Sequence, residues 1–226
     1  MNARWRGVDP RLYFVTDTAL CTRAGRSVAE TAAAAVRGGA GLVQVRDKHL
    51  DDTAFYRLSL AVLAAVKGAA AGRRVPVVLN DRIAVAARLL AEGHDVHVHV
   101  GQHDMPVAAV RRRIGAQPLL GLSVATRSQV AAARAAGGVD LLGISPAFAT
   151  ATKDDAGQAL GLARVRELVA GAGLPAVAIG GINMANAGRL RTTGVIGICV
   201  VSAICLASDP EARARALYRA FQGDAA

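Results

Sequence analysis

The segment Gln44-Val45-Arg46-Asp47-Lys48 ends the apolar run Gly41-Leu42-Val43. Side chains alternate faces along a strand, so Gln44, Arg46 and Lys48 point the same way. One face of a buried strand end then carries an amide and two cations. Such a cluster calls for an anion opposite it. Phosphate or pyrophosphate suits it, because Arg offers a planar fork and Lys a mobile point charge. A solvated strand end is the plain alternative.

Other residues able to do chemistry fall at comparable places, each just after an apolar run. Asn80 and Asp81 follow Val75–Leu79, and Gln102 and Asp104 follow Val96–Val100. Two carboxylates beside several cations are a poor acid-base pair, because the cations hold both ionised. They are a good Mg2+ site: magnesium takes one or two carboxylates, keeps waters and bridges to phosphate oxygens. Alternatively, each Asp simply caps the helix after it. Ser123 ends a further apolar run, Leu119–Val124.

Gly180-Gly181 and Val201-Ser202 close the last two runs and suggest a phosphate cup, since glycine lets backbone N–H groups approach oxygens closely. A tight strand-to-helix turn also wants glycine. Thr150-Ala151-Thr152-Lys153 sits in the long connection 145–159, where two hydroxyls and a cation suit further phosphate contacts. A solvated surface loop reads the same way. His97 and His99 share a strand face, a permitted arrangement for zinc, but no third ligand is evident and buried strand histidines are common.

The elements that must position these residues alternate strictly. Apolar runs at Arg11–Thr16, 41–45, Val75–Leu79, Val96–Val100, Leu119–Val124, Leu141–Ile144, Ala176–Ile179 and Ile196–Val201 read as strands. Between them lie expected helices. Val28–Arg37 has a Ser27/Glu30 capping box, and Asp51 or Asp52 caps the next, to about Ala70. Others run over Ile83–Leu90, Pro106–Ile114, from a Thr126 or Ser128 cap to Ala136, over Leu160–Ala170, from an Asn183 cap to about Arg191, and from Asp209-Pro210 to Phe221.

Strands that are apolar throughout have both faces buried, and strict β-α alternation demands a parallel sheet. Eight units in 226 residues fit one (β/α)8 TIM barrel, an α/β fold spanning 1–226 with its core at about 11–221. A doubly wound open sheet is disfavoured, because no Gly-x-Gly-x-x-Gly follows the first strand. In this barrel, active sites sit at the C-terminal strand ends. Gln44, Arg46, Lys48, Asn80, Asp81, Asp104, Ser123, Thr150, Thr152, Lys153, Gly181, Val201 and Ser202 all fall there. Two phosphate regions and one metal in one mouth imply transfer from a diphosphate to a phosphorylated acceptor.

Composition bounds the partners. No run of 18 or more apolar residues occurs and the start lacks a secretory pattern, so a cytoplasmic chain without membrane contact is expected. Three cysteines without metal-like spacing read as free thiols. The net charge of +10 raises nucleic-acid binding as a rival. Yet the arginines are dispersed over expected helix surfaces, and no aromatic residues interleave for base stacking. Only Lys48, Lys67 and Lys153 are lysines, and two of the three lie in the loops singled out above. A homo-oligomer is compatible with the sequence, which does not fix the oligomeric state.

From Tyr13 to about Ala207 the chain resembles the thiamine-phosphate synthase family. The resemblance rests on Gln44 to Lys48, Asn80-Asp81-Arg82, His99 to Asp104, Gly121-Leu122-Ser123, Pro146 to Lys153, Ile179 to Ile182 and Val201 to Ile204. It implies that Gln44, Val45, Arg46, Asp47, Lys48, Asn80 and Lys153 hold a pyrimidine diphosphate, with Ser123 near it. It implies that Asp81 and Asp104 hold Mg2+. Thr150, Ala151, Thr152, Gly181, Val201 and Ser202 would bind a thiazole phosphate. The implied reaction condenses 4-amino-2-methyl-5-hydroxymethylpyrimidine diphosphate with the thiazole phosphate, releasing pyrophosphate by a dissociative route. Arg46, Lys48, Lys153 and Ser123 are the implied catalytic groups. A thiazole tautomerase-like relative is the rival on the same barrel, but it tends to lose the diphosphate and metal residues retained here. Three places depart from the family pattern: one residue more in Asp95-Val96-His97-Val98-His99, His103 where an acidic residue is usual, and Ser145 where glycine usually precedes the proline.

Overall fold

Each strand of the chain buries two faces, which explains why its sequence shows no polar alternation. In the computed structural model, which describes residues 3–150 and 158–223, eight parallel strands close into a barrel in chain order, and the last pairs back on the first. The strands are β1 (Leu12–Val15), β2 (Leu42–Val45), β3 (Val77–Asn80), β4 (Val96–Val100), β5 (Leu120–Val124), β6 (Leu141–Ile144), β7 (Ala176–Ile179) and β8 (Gly197–Val200). Phe14, Val43, Leu79, Val98, Leu120 and Ile144 face outwards and pack under the helices. Tyr13, Val15, Leu42, Val78, Leu119, Leu141, Val177 and Cys199 face inwards and fill the barrel with Trp5, from the short 3-10 helix Ala3–Trp5.

The helices are α1 (Thr18–Arg23), α2 (Val28–Arg37), α3 (Asp52–Ala69), α4 (Ile83–Ala91), α5 (Val107–Ile114), α6 (Arg127–Ala136), α7 (Gly161–Ala172), α8 (Ser202–Cys205) and α9 (Pro210–Gln222). The expected caps form. Ser27 and Glu30 make a capping box on α2, Asp51 caps α3, Thr126 caps α6 in a box with Gln129, and Asp209 caps α9.

One expected helix is corrected and two short helices are additional. The six-residue α1 follows β1 and is capped by Asp17. The segment after β7 forms a 3-10 helix, Ala187–Thr193, because Asn183 and Asn186 spend their side chains on the preceding turn. A four-residue helix, α8, follows β8 directly. Where the family pattern is one residue shorter, β4 carries no bulge against β3: Val96 to His99 pair with Val77 to Asn80 in unbroken register. Among the described residues no helix is long and apolar enough to cross a membrane.

Candidate active site

The C-terminal ends of the strands open into a mouth with a cavity of about 110 Å³. Its floor is built of paired polar groups on alternating inward positions. Gln44 on β2 is 4% exposed, and its Nε2 donates to the Tyr13 hydroxyl at 2.7 Å. Burial pushes the Tyr13 hydroxyl well above its ordinary range, so it stays protonated. On β4, His99 Nε2 lies 2.9 Å from the Ser123 hydroxyl on β5. The imidazole occupies space that β5 and β6 leave open. A Cβ on Gly121 would stand 2.2 Å from its Nδ1, and one on Gly143 would stand 3.1 Å from its Cε1. Gln102 Nε2 donates to the Ser123 carbonyl at 2.7 Å and ties the following loop down.

Arg46 lines the same mouth just beyond β2, with a guanidinium nitrogen 3.8 Å from Asp17. Lys48 leaves the strand direction and stands 3.4 Å from Asp81. The expected shared face therefore holds for Gln44 and Arg46, while Lys48 joins the site from the loop. Asp81 adopts φ +60°, a left-handed conformation that Asp tolerates better than most residues. Its N–H donates to the His99 carbonyl at 2.9 Å, extending the β3–β4 ladder by one step. Asn80 Nδ2 donates to the Asp81 carboxyl at 2.5 Å.

Neither Asp81 nor Asp104 caps a helix. Arg82 and Pro106 hold the cap positions of α4 and α5 without side-chain caps, and Asp104 accepts the Gly101 N–H at 2.7 Å. Instead the two carboxyls meet. Burial, and then the Asp104 carboxyl beside it, push Asp81 up to about 6 against the opposing pull of Lys48. Arg46 turns to Asp17, so Lys48 is the cation beside Asp81, and its pull is outweighed by burial and the second carboxyl. Among the described residues no group of three or more His, Cys, Asp or Glu gathers to hold a metal. A half-buried carboxylate abutting an exposed one at the edge of the mouth fits Mg2+, which completes its shell with waters and phosphate oxygens.

The opposite wall is more apolar. Thr150, Val177, Ile179, Gly180, Gly181, Cys199, Val201 and Ser202 line it. Gly180 and Gly181 have φ values of +104° and +64°. A Cβ on Gly181 would meet the Ala149 carbonyl at 2.2 Å. The glycines are thus required both for the turn and for the close approach of the chain after β6.

Of the residues picked from sequence, Gln44, Arg46, Asn80, Ser123, Thr150, Gly181, Val201 and Ser202 line the mouth. Lys48, Asp81 and Asp104 group beside Asn80. Val45 does not join them, because its side chain is buried on the outer face of the barrel. The Asp47 carboxyl is spent on the N–H groups of His49 and Leu50, at 2.8 and 2.9 Å. Ala151, Thr152 and Lys153 lie outside the described residues. His97 is part of the floor below, where its Nδ1 accepts the Leu119 N–H at 3.0 Å. Tyr13, Gly143 and Cys199 were not picked, and His99 entered only in the zinc reading and the resemblance, not as a ring wedged against Ser123. Their signal was the alternate spacing within each strand, which becomes usable only once neighbouring strands are in register.

A protein-family model described as thiamine monophosphate synthase matches residues 12–204. The thiamine-phosphate synthase of Psychrobacter sp. (strain PRwf-1) is 42% identical over 220 residues, covering 96% of this chain and 98% of that protein. The thiamine-phosphate synthase of Laribacter hongkongensis (strain HLHK9) is 43% identical over 211 residues, covering 93% and 95% respectively. Among solved structures, a thiamine phosphate pyrophosphorylase from Pyrococcus furiosus superposes with a TM-score of 0.81 at 29% identity, over 96% of this chain and 98% of that one. The chain belongs to the thiamine monophosphate synthase family and is an enzyme of that kind.

Proposed function

We propose that this enzyme joins 4-amino-2-methyl-5-hydroxymethylpyrimidine diphosphate to a thiazole phosphate, giving thiamine phosphate and pyrophosphate. The observation that carries the reading is the division of one mouth into two walls. Gln44, Arg46, Lys48, Asn80, Asp81 and Asp104 stand on the side of β2 to β4, and glycine turns with Ser202 stand on the side of β7 and β8. One wall suits a diphosphate with its metal, and the other suits a monophosphate.

In the proposed step, the C–O bond between the pyrimidine methylene and the diphosphate breaks, and its electron pair leaves with pyrophosphate. The resulting cation is stabilised by the amino-pyrimidine ring. The thiazole nitrogen then donates its lone pair, forming the new C–N bond and a thiazolium product. No proton needs to be removed, so the His99–Ser123 pair is read as positioning rather than as a general base. Charge builds on the departing group, so the chain's contribution is electrostatic, from Arg46, Lys48 and Lys153. Asp81 and Asp104 would hold Mg2+, which when bound neutralises that developing charge. Ser123, held by His99 and Gln102, lies against the pyrimidine side. The Thr150–Lys153 connection keeps water from the cation.

The tautomerase-like alternative is not favoured. It has no use for the diphosphate-side residues, all retained here, and the relatives compared above carry the synthase name. The test supplies both substrates with Mg2+ and measures pyrophosphate and thiamine phosphate together. Equal amounts of the two, dependent on Mg2+, are expected. Folded protein that yields neither would refute the proposal.

A further inference from the structure

The turn after β7 is held from outside the mouth by a side chain to which neither the sequence motifs nor the proposed chemistry gives a role. Asn186 Nδ2 donates to the Gly181 carbonyl at 2.9 Å, and its Oδ1 accepts the Asn183 N–H at 2.9 Å. Asn183 Nδ2 lies 3.5 Å from the same Gly181 oxygen, a longer contact on the same side. In a trans peptide the C=O and N–H point in opposite directions. Drawing the Gly181 carbonyl towards Asn186 therefore aims the N–H of Ile182 the other way, and Ile182 lines the mouth.

The turn also seats the start of the β6–α7 connection. The Ala147 N–H donates to the Ile179 carbonyl at 2.8 Å, and the Phe148 N–H donates to the Gly180 carbonyl at 3.0 Å. Cβ atoms on Gly180 and Gly181 would collide with Pro146 and with the Ala149 carbonyl. The turn thus has a fixed partner on each side: the loop base on one, Asn186 on the other.

We infer that Asn186 is a positioning residue for the monophosphate: it fixes the Gly181–Ile182 peptide so that its N–H meets a phosphate oxygen in the mouth. The inference rests on the reading that the thiazole phosphate occupies the wall of Gly181 and Ser202. A positioning role predicts selectivity between the substrates, because the diphosphate wall stands on other strands and, among the described residues, shares no hydrogen bond with Asn186.

The experiment is steady-state kinetics with each substrate varied in turn, on Asn186→Asp, Asn186→Ala, Gly181→Ala and Ser202→Ala. Asn186→Asp is isosteric and keeps the acceptor for Asn183 while losing the donor to Gly181. Both Asn186 variants are expected to raise KM for the thiazole phosphate roughly fivefold to tenfold, the effect of one hydrogen bond, and to leave KM for the pyrimidine diphosphate within about twofold. Equal rises in both KM values, or a fall in kcat alone, would indicate general damage and overturn the inference. If Gly181→Ala and Ser202→Ala raise the thiazole KM while Asn186→Asp does not, the role of Asn186 falls and the wall assignment stands. If none of the four variants moves that KM, the wall assignment itself is wrong. Thermal midpoints of each variant separate loss of fold from loss of binding.

Discussion

At the N-terminal end of the barrel, Asp140 is fully buried and all its bonds are made within the protein. Its carboxylate accepts from Arg4 at 2.9 Å, from Arg111 at 2.5 Å and from the Leu120 N–H at 3.0 Å. At the C-terminal end, Asp81 abuts another carboxyl and is raised towards neutrality. The two acids stand at opposite ends of one barrel and have opposite surroundings. Asp140 is matched by two guanidinium groups, whereas Asp81 meets a second carboxyl as well as Lys48, and under the proposed function the excess negative charge is left for a ligand to match. Substitutions at the two ends should therefore separate stability from turnover.

The largest effect is expected at the closed end. Asp140→Ala leaves two guanidinium groups without their buried partner and should cost about 3–5 kcal/mol of unfolding free energy in urea titrations, with kcat of the folded enzyme unchanged. At the open end, Asp81→Asn should lower kcat/KM by about 10²–10³, or roughly 3–4 kcal/mol of transition-state stabilisation. It keeps the left-handed backbone conformation and relieves the clash with Asp104, so its thermal midpoint should hold or rise. A variant at either site that exchanged these signatures would break the contrast.

A third effect belongs to the floor. Burial depresses His97 from its ordinary 6.5 to about 4, opposed by Asp95 and Asp140 and assisted by Arg74. The folded state holds the neutral ring, so the unfolded chain binds the proton more readily. This contribution is fully present above pH 6.5 and is lost as the pH falls towards 4. It amounts to about 3 kcal/mol at 1.36 kcal/mol per pH unit. Urea titrations of wild type and His97→Gln from pH 7 to pH 4 should converge as the pH falls. Parallel curves would remove His97 from the account. The smallest effect is expected from Tyr13→Phe, which removes the acceptor of the Gln44 amide. KM for the pyrimidine diphosphate should rise about fivefold, near 1 kcal/mol.

Much of the fold was legible because barrel strands are short apolar runs between helix signals, and Ser27, Asp51, Thr126 and Asp209 mark helix starts chemically. The helices α1 and α8 were not, since six and four residues are too few to show a period. In the site, Arg46, Lys48, Asp81 and Asp104 stood out as charges at the ends of apolar strands. The pairing of Gln44 with Tyr13, and of His99 with Ser123 across Gly121 and Gly143, depends on cross-strand register, which one strand's sequence does not carry. Likewise, whether Asp47 faces a ligand or its own loop is decided by two local N–H groups.

The contrast between the two ends is tested most directly by calorimetric titration of pyrophosphate, with and without Mg2+, into wild type, Asp81→Asn and Asp140→Asn. Tight binding that requires Mg2+, abolished in Asp81→Asn and retained by folded Asp140→Asn, is the predicted result. Pyrophosphate binding that ignores Mg2+ and survives Asp81→Asn would contradict the assignment of the diphosphate to the open end of the barrel.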